Sequence, residues 1–181
     1  MRIVFPFTPE SVHIAASLAL TNVPNVEYVP LLHTDARSSG YADDLPECAY
    51  WRLVRDLWVS GEDFAIVEHD IEIHAAVIPA FESCESGWCV FPYEGQQPIY
   101  TSRRHPSLQP RAPRVFRCAL GCTRFRSEFT AKHPLALEHM RHKHWRRIDS
   151  QLASFLFQHG EKACEHEPHV IHHHDYEADL P

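Results

Sequence analysis

Residues 64–74 read FAIVEHDIEIH, an apolar run that gives way to Glu68, Asp70, Glu72 and His74 at every second position. Along an extended chain, residues i and i+2 share a side. The spacing therefore predicts a strand presenting carboxylates and an imidazole in one row. Hard divalent cations such as Mg²⁺ and Mn²⁺ take carboxylate oxygens, commonly one or two from the protein, with phosphate oxygens of a substrate completing the shell. Glu68-His69-Asp70 is accordingly a candidate metal and phosphate site. The plain alternative is a strand running out into solvent.

Three further groups of residues have the types for chemistry. HVIHHHDY (169–176) carries His169, His172, His173 and His174; on a strand, His172 and His174 share one face, and imidazole is a frequent metal ligand. Cys118-x3-Cys122, followed by His139, His142 and His144, resembles a zinc-finger pattern. The gap of 16 residues from Cys122 to His139 exceeds the usual 12 or so, and Pro134 interrupts the helix such a finger needs. Two small buried thiols beside a turn are the alternative there. In Trp145-Arg146-Arg147-Ile148-Asp149, Trp145 and Asp149 fall four apart on one helical face, making Asp149 a candidate catalytic carboxylate or an ordinary partner of the neighbouring arginines. There is no glycine-rich phosphate loop and no nucleophile-elbow motif.

The elements that must position these residues alternate. RIVFPF (2–7) reads as a strand, and a helix capped by Thr8 or Ser11 follows through VHIAASLAL. VEYVPLL (26–32) reads as a second strand and 33–48 as a loop. AYWRLVRDLWVSG (49–61) has helical apolar spacing and a stop at Gly61. FAIVEHD (64–70) suits a central parallel strand. HAAVIPAFESC (74–84) predicts a helix broken at Pro79, GWCVFPY (87–93) a fourth strand, and 94–114 a long loop. VFRCALGCTRF (115–125) predicts a strand that turns at Gly121; 126–159 is helical with a break at His133-Pro134, and PHVIHHHDY (168–176) is a last short strand before frayed residues 177–181. Alternating strands and helices predict a single α/β domain over 1–181 with a mostly parallel sheet flanked by helices. In open sheets of this class, ligands bind beyond the carboxyl ends of the strands, where Pro6–Thr8 and Glu68–Asp70 fall.

Composition is that of a globular protein: 181 residues, 44% hydrophobic and 23% charged, with a net charge of −7. No apolar stretch reaches the ~20 residues that span a bilayer. IAASLAL (14–20) has the length of a signal-peptide core, but Glu10 and His13 interrupt its approach, so a cytoplasmic protein with six reduced cysteines is expected. Residues 103–147 hold 12 Lys/Arg against 2 Asp/Glu within this acidic chain. That segment either meets an anionic partner such as phosphate or nucleic acid, or faces the acidic regions of the fold.

The ordered series IVEHDIEIH, CESGWCVFPY, LGCTRF, HKHWRRID and PHVIHHH resembles small GT-A-type glycosyltransferases, the compact glycosyltransferase-like proteins of actinobacteria and their phages. The resemblance covers roughly residues 64–174 and implies a GT-A, Rossmann-like domain. It implies that Glu68-His69-Asp70 stands for the Asp-x-Asp-like motif, with Asp70 on Mn²⁺ or Mg²⁺ and Glu68 at the ribose or assisting the metal. It further implies that His172 or His174 completes the metal shell and that Pro6, Phe7 and Thr8 cradle the nucleotide. Gly121 and Cys122 would lie along the sugar or acceptor. The donor expected is a nucleotide-sugar, a UDP-sugar in the first instance, with arginines of 103–126 as phosphate donors and Asp149 as general base. DNA is one acceptor the basic segment would suit. The contrasting reading is a zinc-containing nucleic-acid-binding module using Cys118, Cys122, His139 and His144; a third, an Fe²⁺ hydrolase or oxygenase, would use Asp70 and the terminal histidines.

Overall fold

The computed structural model describes residues 1–8, 12–31, 48–93, 99–100, 115–116, 120–141, 143 and 145–173. The chain begins with β1 (Arg2–Phe7), α1 (Ile14–Ala19) and β2 (Val26–Pro30), then α2 (Ala49–Val59), β3 (Phe64–Val67) and β4 (Ile71–Glu72). α3 (Val77–Ser83), β5 (Trp88–Val90), β6 (Ile99–Tyr100) and β7 (Val115–Phe116) follow. β8 (Cys122–Phe125), α4 (Ser127–Lys132), α5 (Trp145–Gln158), β9 (Cys164–Glu165) and β10 (Ile171–His172) complete it. Six strands form one sheet in the order β2-β1-β3-β8-β5-β9. β1 is parallel to β2 and β3, and β5 to β9, whereas β8 runs antiparallel to both β3 and β5. The sheet is therefore mixed, with one reversed strand at its centre.

Alternation along the strands sorts the side chains into two layers. Val4, Phe64, Ile66, Trp88, Val90 and Phe125 pack with Trp51, Val54 and Trp58 of α2 and with Ile148, Leu152 and Leu156 of α5. Phe5, Ala65, Val67, Cys89, Phe91 and Cys122 pack the other way, against Ala16 of α1 and Val77 and Phe81 of α3. The connections from β1 to β2 and from β2 to β3 move in opposite directions across the sheet, so a constant right-handed crossover sends α1 and α2 to opposite faces. The helix-spaced residues Tyr50, Trp51, Val54, Leu57 and Trp58 are all buried, and the helix ends just before Gly61, whose φ of +75° suits glycine.

Several expectations are corrected. The third strand stops at Val67 rather than Asp70, because Glu68–Ile71 form a turn closed by Ile71 N–H donating to Glu68 O at 3.0 Å. Pro79 does not break its helix: it is the third residue of α3, where its missing N–H leaves no intrahelical bond unmade. CTRF (122–125), which follows the expected turn at Gly121, is the reversed central strand β8. β9 was not expected, and β6 and β7 pair within and beside the expected loop. No helix among the described residues is long and apolar enough to cross a membrane.

Candidate active site

The parallel strands separate at their carboxyl ends. The β1–β3 ladder ends at Val4–Ile66, while β1 continues alongside β2 as far as Phe7–Pro30. Pro6, which has no N–H to extend a ladder, lies in this stretch. Beyond the end of β3, Glu68 N–H still donates to Gly121 O at 2.8 Å, so the backbone leaves the sheet tied to the start of β8. The turn then reverses the chain into β4, which pairs with β10 so that Ile71 faces His172 and Glu72 faces Ile171.

This reversal corrects the expectation of one continuous row of acids. Glu72 turns to His173, whose Nε2 is 2.8 Å from its Oε2, and His74 Nε2 lies 3.0 Å from Pro168 O. Glu68 and Asp70 are instead brought together with a third carboxylate from far along the chain. Asp70 is only 5% exposed, with Oδ2 2.9 Å from His172 Nε2, and its carbonyl accepts from His173 N–H at 2.9 Å. Glu68 accepts a hydrogen bond from the Tyr50 hydroxyl, which the second residue of α2 supplies. Asp149, on the second turn of α5, accepts from the Leu120 and Asp149 backbone N–H groups.

The electrostatics follow from gathering like charges in a dry place. Burial, then the charges of Asp149 and Asp70, hold the Glu68 carboxyl well above the usual range, against the Tyr50 hydrogen bond that favours the ion. Burial pushes Asp149 up to about 7, with the Asp70 charge adding to it and the two backbone hydrogen bonds opposing. Tyr93 faces the same trio: burial raises its phenol, and Asp149, Glu68 and Asp70 each add. Its ring also lies 4.7 Å from that of His172. Among the described residues, no lysine or arginine contributes to the shifts of Glu68 or Asp149.

Such a donor set fits a hard divalent cation. Asp70 and His172 stand as a pair at ligand spacing, and the Glu68 and Asp149 carboxylates lie close enough to act on that place through their charges, a repulsion that a doubly charged ion relieves. Two adjacent octahedral ligands at about 2.1 Å from an ion stand about 3.0 Å apart; the Asp70 Oδ2–His172 Nε2 separation of 2.9 Å meets that requirement. Of the expected metal ligands, Asp70 and His172 are thus together, and His174 lies outside the described residues.

The remaining expected positions divide. Thr8 is buried at the end of β1, and Phe7 O accepts from Leu31 N–H at 2.6 Å, fixing the rim of the crevice. His69 occupies the turn, and its carbonyl accepts from His13 N–H at 3.0 Å. Gly121 is tightly enclosed: a Cβ there would lie 3.1 Å from Tyr93 and 3.3 Å from Ile71. The Cys122 side chain is fully buried in the α1/α3 layer. His139 stacks on Phe155, which belongs to the opposite layer, so these two residues do not share one site; Cys118 and His144 lie outside the described residues. Arg124, expected among the phosphate donors, is buried and bonded to Ser86 O and Cys84 O, because its place in β8 points it into the α3 layer. Arg126 sits 3.8 Å from Asp63. Sequence reasoning missed Tyr50 and Tyr93, since a tyrosine in an apolar stretch carries no sign of the carboxylate it will face. Compared with protein-family models, curated proteins and solved structures, the chain matches none.

Proposed function

We propose that this chain is a metal-dependent glycosyltransferase of GT-A type, moving a sugar from a nucleotide-sugar such as a UDP-sugar to an acceptor hydroxyl. The observation that carries the reading is the Asp70–His172 pair at the carboxyl edge of β3, where parallel strands part, with the Glu68 and Asp149 carboxylates acting on the same place through their charges. It is supported by the resemblance of Glu68-His69-Asp70 to an Asp-x-Asp-like motif following a central strand, and by the C-terminal histidine beside Asp70.

In this reading Asp70 and His172 would hold Mn²⁺ or Mg²⁺, with Glu68 assisting or reaching the ribose. Such a cation, when bound, offsets the negative charge that builds on a departing nucleoside diphosphate. Tyr50 fixes the Glu68 carboxylate. The rim formed by Pro6, Phe7 and Thr8 bounds the nucleotide side. Asp149, with a proton affinity near neutrality, takes the proton of the acceptor hydroxyl.

The test is thermal unfolding against a panel of nucleoside diphosphates, with and without Mn²⁺, for the wild type and Asp70→Ala. A ligand held by the folded state alone at one hundred times its Kd adds about 2.7 kcal/mol. The expected result is a metal-dependent rise with one nucleotide that is absent in Asp70→Ala. A rise with no nucleotide, or an equal rise in the variant, overturns the reading.

A further inference from the structure

A second cluster of metal-ligating side chains lies away from the carboxylates, on the α3 side of the sheet. Ligand atoms of Cys84, Cys89 and His166 all fall within 4.8 Å of one another. Cys164 lies beside that group, outside its mutual 4.8 Å: it is the registered partner of Cys89 across β5 and β9, and the Cys84 thiol is hydrogen-bonded to both Cys89 and Cys164. All four are pre-positioned by backbone. Cys84 is the residue that ends α3, Cys89 is the centre of β5, Cys164 opens β9, and His166 N–H donates to Val90 O at 2.9 Å. The five described cysteines are all free thiols.

Two observations point to a missing partner. His166 Nε2 is buried and takes no hydrogen bond, although its ring is fixed against Phe91 at 5.0 Å and Phe81 at 6.4 Å. Burying a ring nitrogen with no partner is costly. Arg124 is the second observation. It is 1% exposed, is registered opposite Cys89, and donates to carbonyls only: Nη1 to Ser86 O at 2.6 Å and Nη2 to Cys84 O at 2.7 Å. Its Nε is buried without a hydrogen bond. Asp63, a carboxylate that feels its charge, is bonded to Ser127 N–H and sits beside Arg126. Among the described residues no carboxylate is bonded to this buried guanidinium under a group of thiols, and such a cation calls for a counter-charge.

We propose that Cys84, Cys89, Cys164 and His166 form a Cys₃His site for Zn²⁺ that staples α3 and the edge strand β9 to β5. Thiolate and imidazole are the ligands that select this ion in a closed tetrahedral shell. Binding converts three thiols to thiolates and releases three protons, so the zinc centre carries a net charge of −1. That charge is the complement of Arg124. The site differs from the Cys118/Cys122 pattern in every ligand, and it differs from the carboxylate cluster in donor class.

The test uses the full chain purified without a metal-binding tag, dialysed against metal-free buffer, with bound zinc measured by mass spectrometry. About one zinc per chain is expected in the wild type and in Cys118→Ser, with loss in Cys84→Ser and Cys164→Ser. Co²⁺ substitution is expected to give thiolate-to-cobalt charge-transfer absorption that falls in Cys164→Ser. Because a cysteine variant can fail to fold, the wild type alone supplies a second readout: iodoacetamide labelling of Cys84 and Cys164 should be slow with metal and rise at least tenfold after a chelator. Zinc that does not survive dialysis, zinc lost from Cys118→Ser but kept by Cys84→Ser, labelling unchanged by the chelator, or a Cys84–Cys164 disulfide in freshly purified protein would each overturn the proposal.

Discussion

Replacing Asp149 with asparagine should stabilise the metal-free protein above neutral pH. The carboxyl is moved from an ordinary 3.8 to about 7 by burial and by Asp70. For a raised carboxyl, the favourable contribution is complete below about pH 4 and is lost as pH rises through about 7, because the folded state then holds a charge that it solvates poorly. At about 1.4 kcal/mol for each tenfold change in proton affinity, the penalty above pH 7 is capped at ~4 kcal/mol. Side-chain relaxation and water entry reduce it to roughly 1–2 kcal/mol. Asparagine keeps an oxygen for the Leu120 and Asp149 N–H groups and also removes one of the charges that bear on Glu68. With chelator present, Asp149→Asn should therefore melt about 3–6 °C above the wild type at pH 8 and nearly level with it at pH 5. His166, whose proton affinity is lowered, bends stability the other way with pH, but it is common to both proteins and cancels in the difference. Differential scanning calorimetry over pH 5 to 8 reads the result. A variant that melts at or below the wild type at pH 8, with an unchanged pH slope, would refute the carboxylate repulsion.

Other outcomes follow from named contacts. His172→Ala should shrink the Mn²⁺-induced rise in melting temperature by more than half while leaving the metal-free value within about 2 °C, since it removes a proposed ligand and one hydrogen bond to Asp70; an undiminished Mn²⁺ response would remove His172 from the site. Tyr50→Phe deletes the hydrogen bond that favours the Glu68 ion. Mn²⁺ must then compete with a more tightly held proton, so the midpoint of metal binding, followed by thermal shift across pH, should move upward by about half a pH unit or more. Phe125→Ala should cost about 3–5 kcal/mol in urea unfolding, because its ring meets Trp58, Phe64, Trp88 and Phe129 in the α2/α5 layer.

The parts of the fold legible in the sequence are those with unmixed patterns. RIVFPF is apolar enough to read as a strand and the apolar start of FAIVEHD as a central one, and the spacing of Tyr50, Leu53, Val54, Leu57 and Trp58 with Gly61 behind it placed α2 nearly to the residue. β8 was hidden because a fully buried strand reading CTRF places Thr123 and Arg124 in the core, satisfied by Cys89 O, Ser86 O and Cys84 O; those partners are 34 to 40 residues away, and no local period announces them. The same distance hides the partners at both sites. Glu68 and Asp70 stand out because acids follow an apolar strand, whereas Tyr50 and Tyr93 look like core residues until the sheet closes.

The two sites also show why residue type is a better guide than spacing in this chain. Spacing singled out Cys118-x3-Cys122, yet Cys122 faces one layer of the sheet and His139 the other. The soft donors proposed as zinc ligands come from Cys84-x4-Cys89 and Cys164-x-His166, two pairs more than seventy residues apart that the parallel β5–β9 ladder brings together. Donor softness then separates the two ions: oxygen-rich Glu68, Asp70 and Asp149 favour Mn²⁺ or Mg²⁺, and sulfur-rich Cys84, Cys89 and Cys164 favour Zn²⁺. A chain loaded with zinc should therefore keep it when millimolar Mn²⁺ is added, while still gaining the Mn²⁺-dependent rise in melting temperature that Asp70→Ala lacks. If added Mn²⁺ expelled the zinc as it raised the melting temperature, one shared site would have to explain both effects, and the division of ligands drawn from the sheet would be wrong.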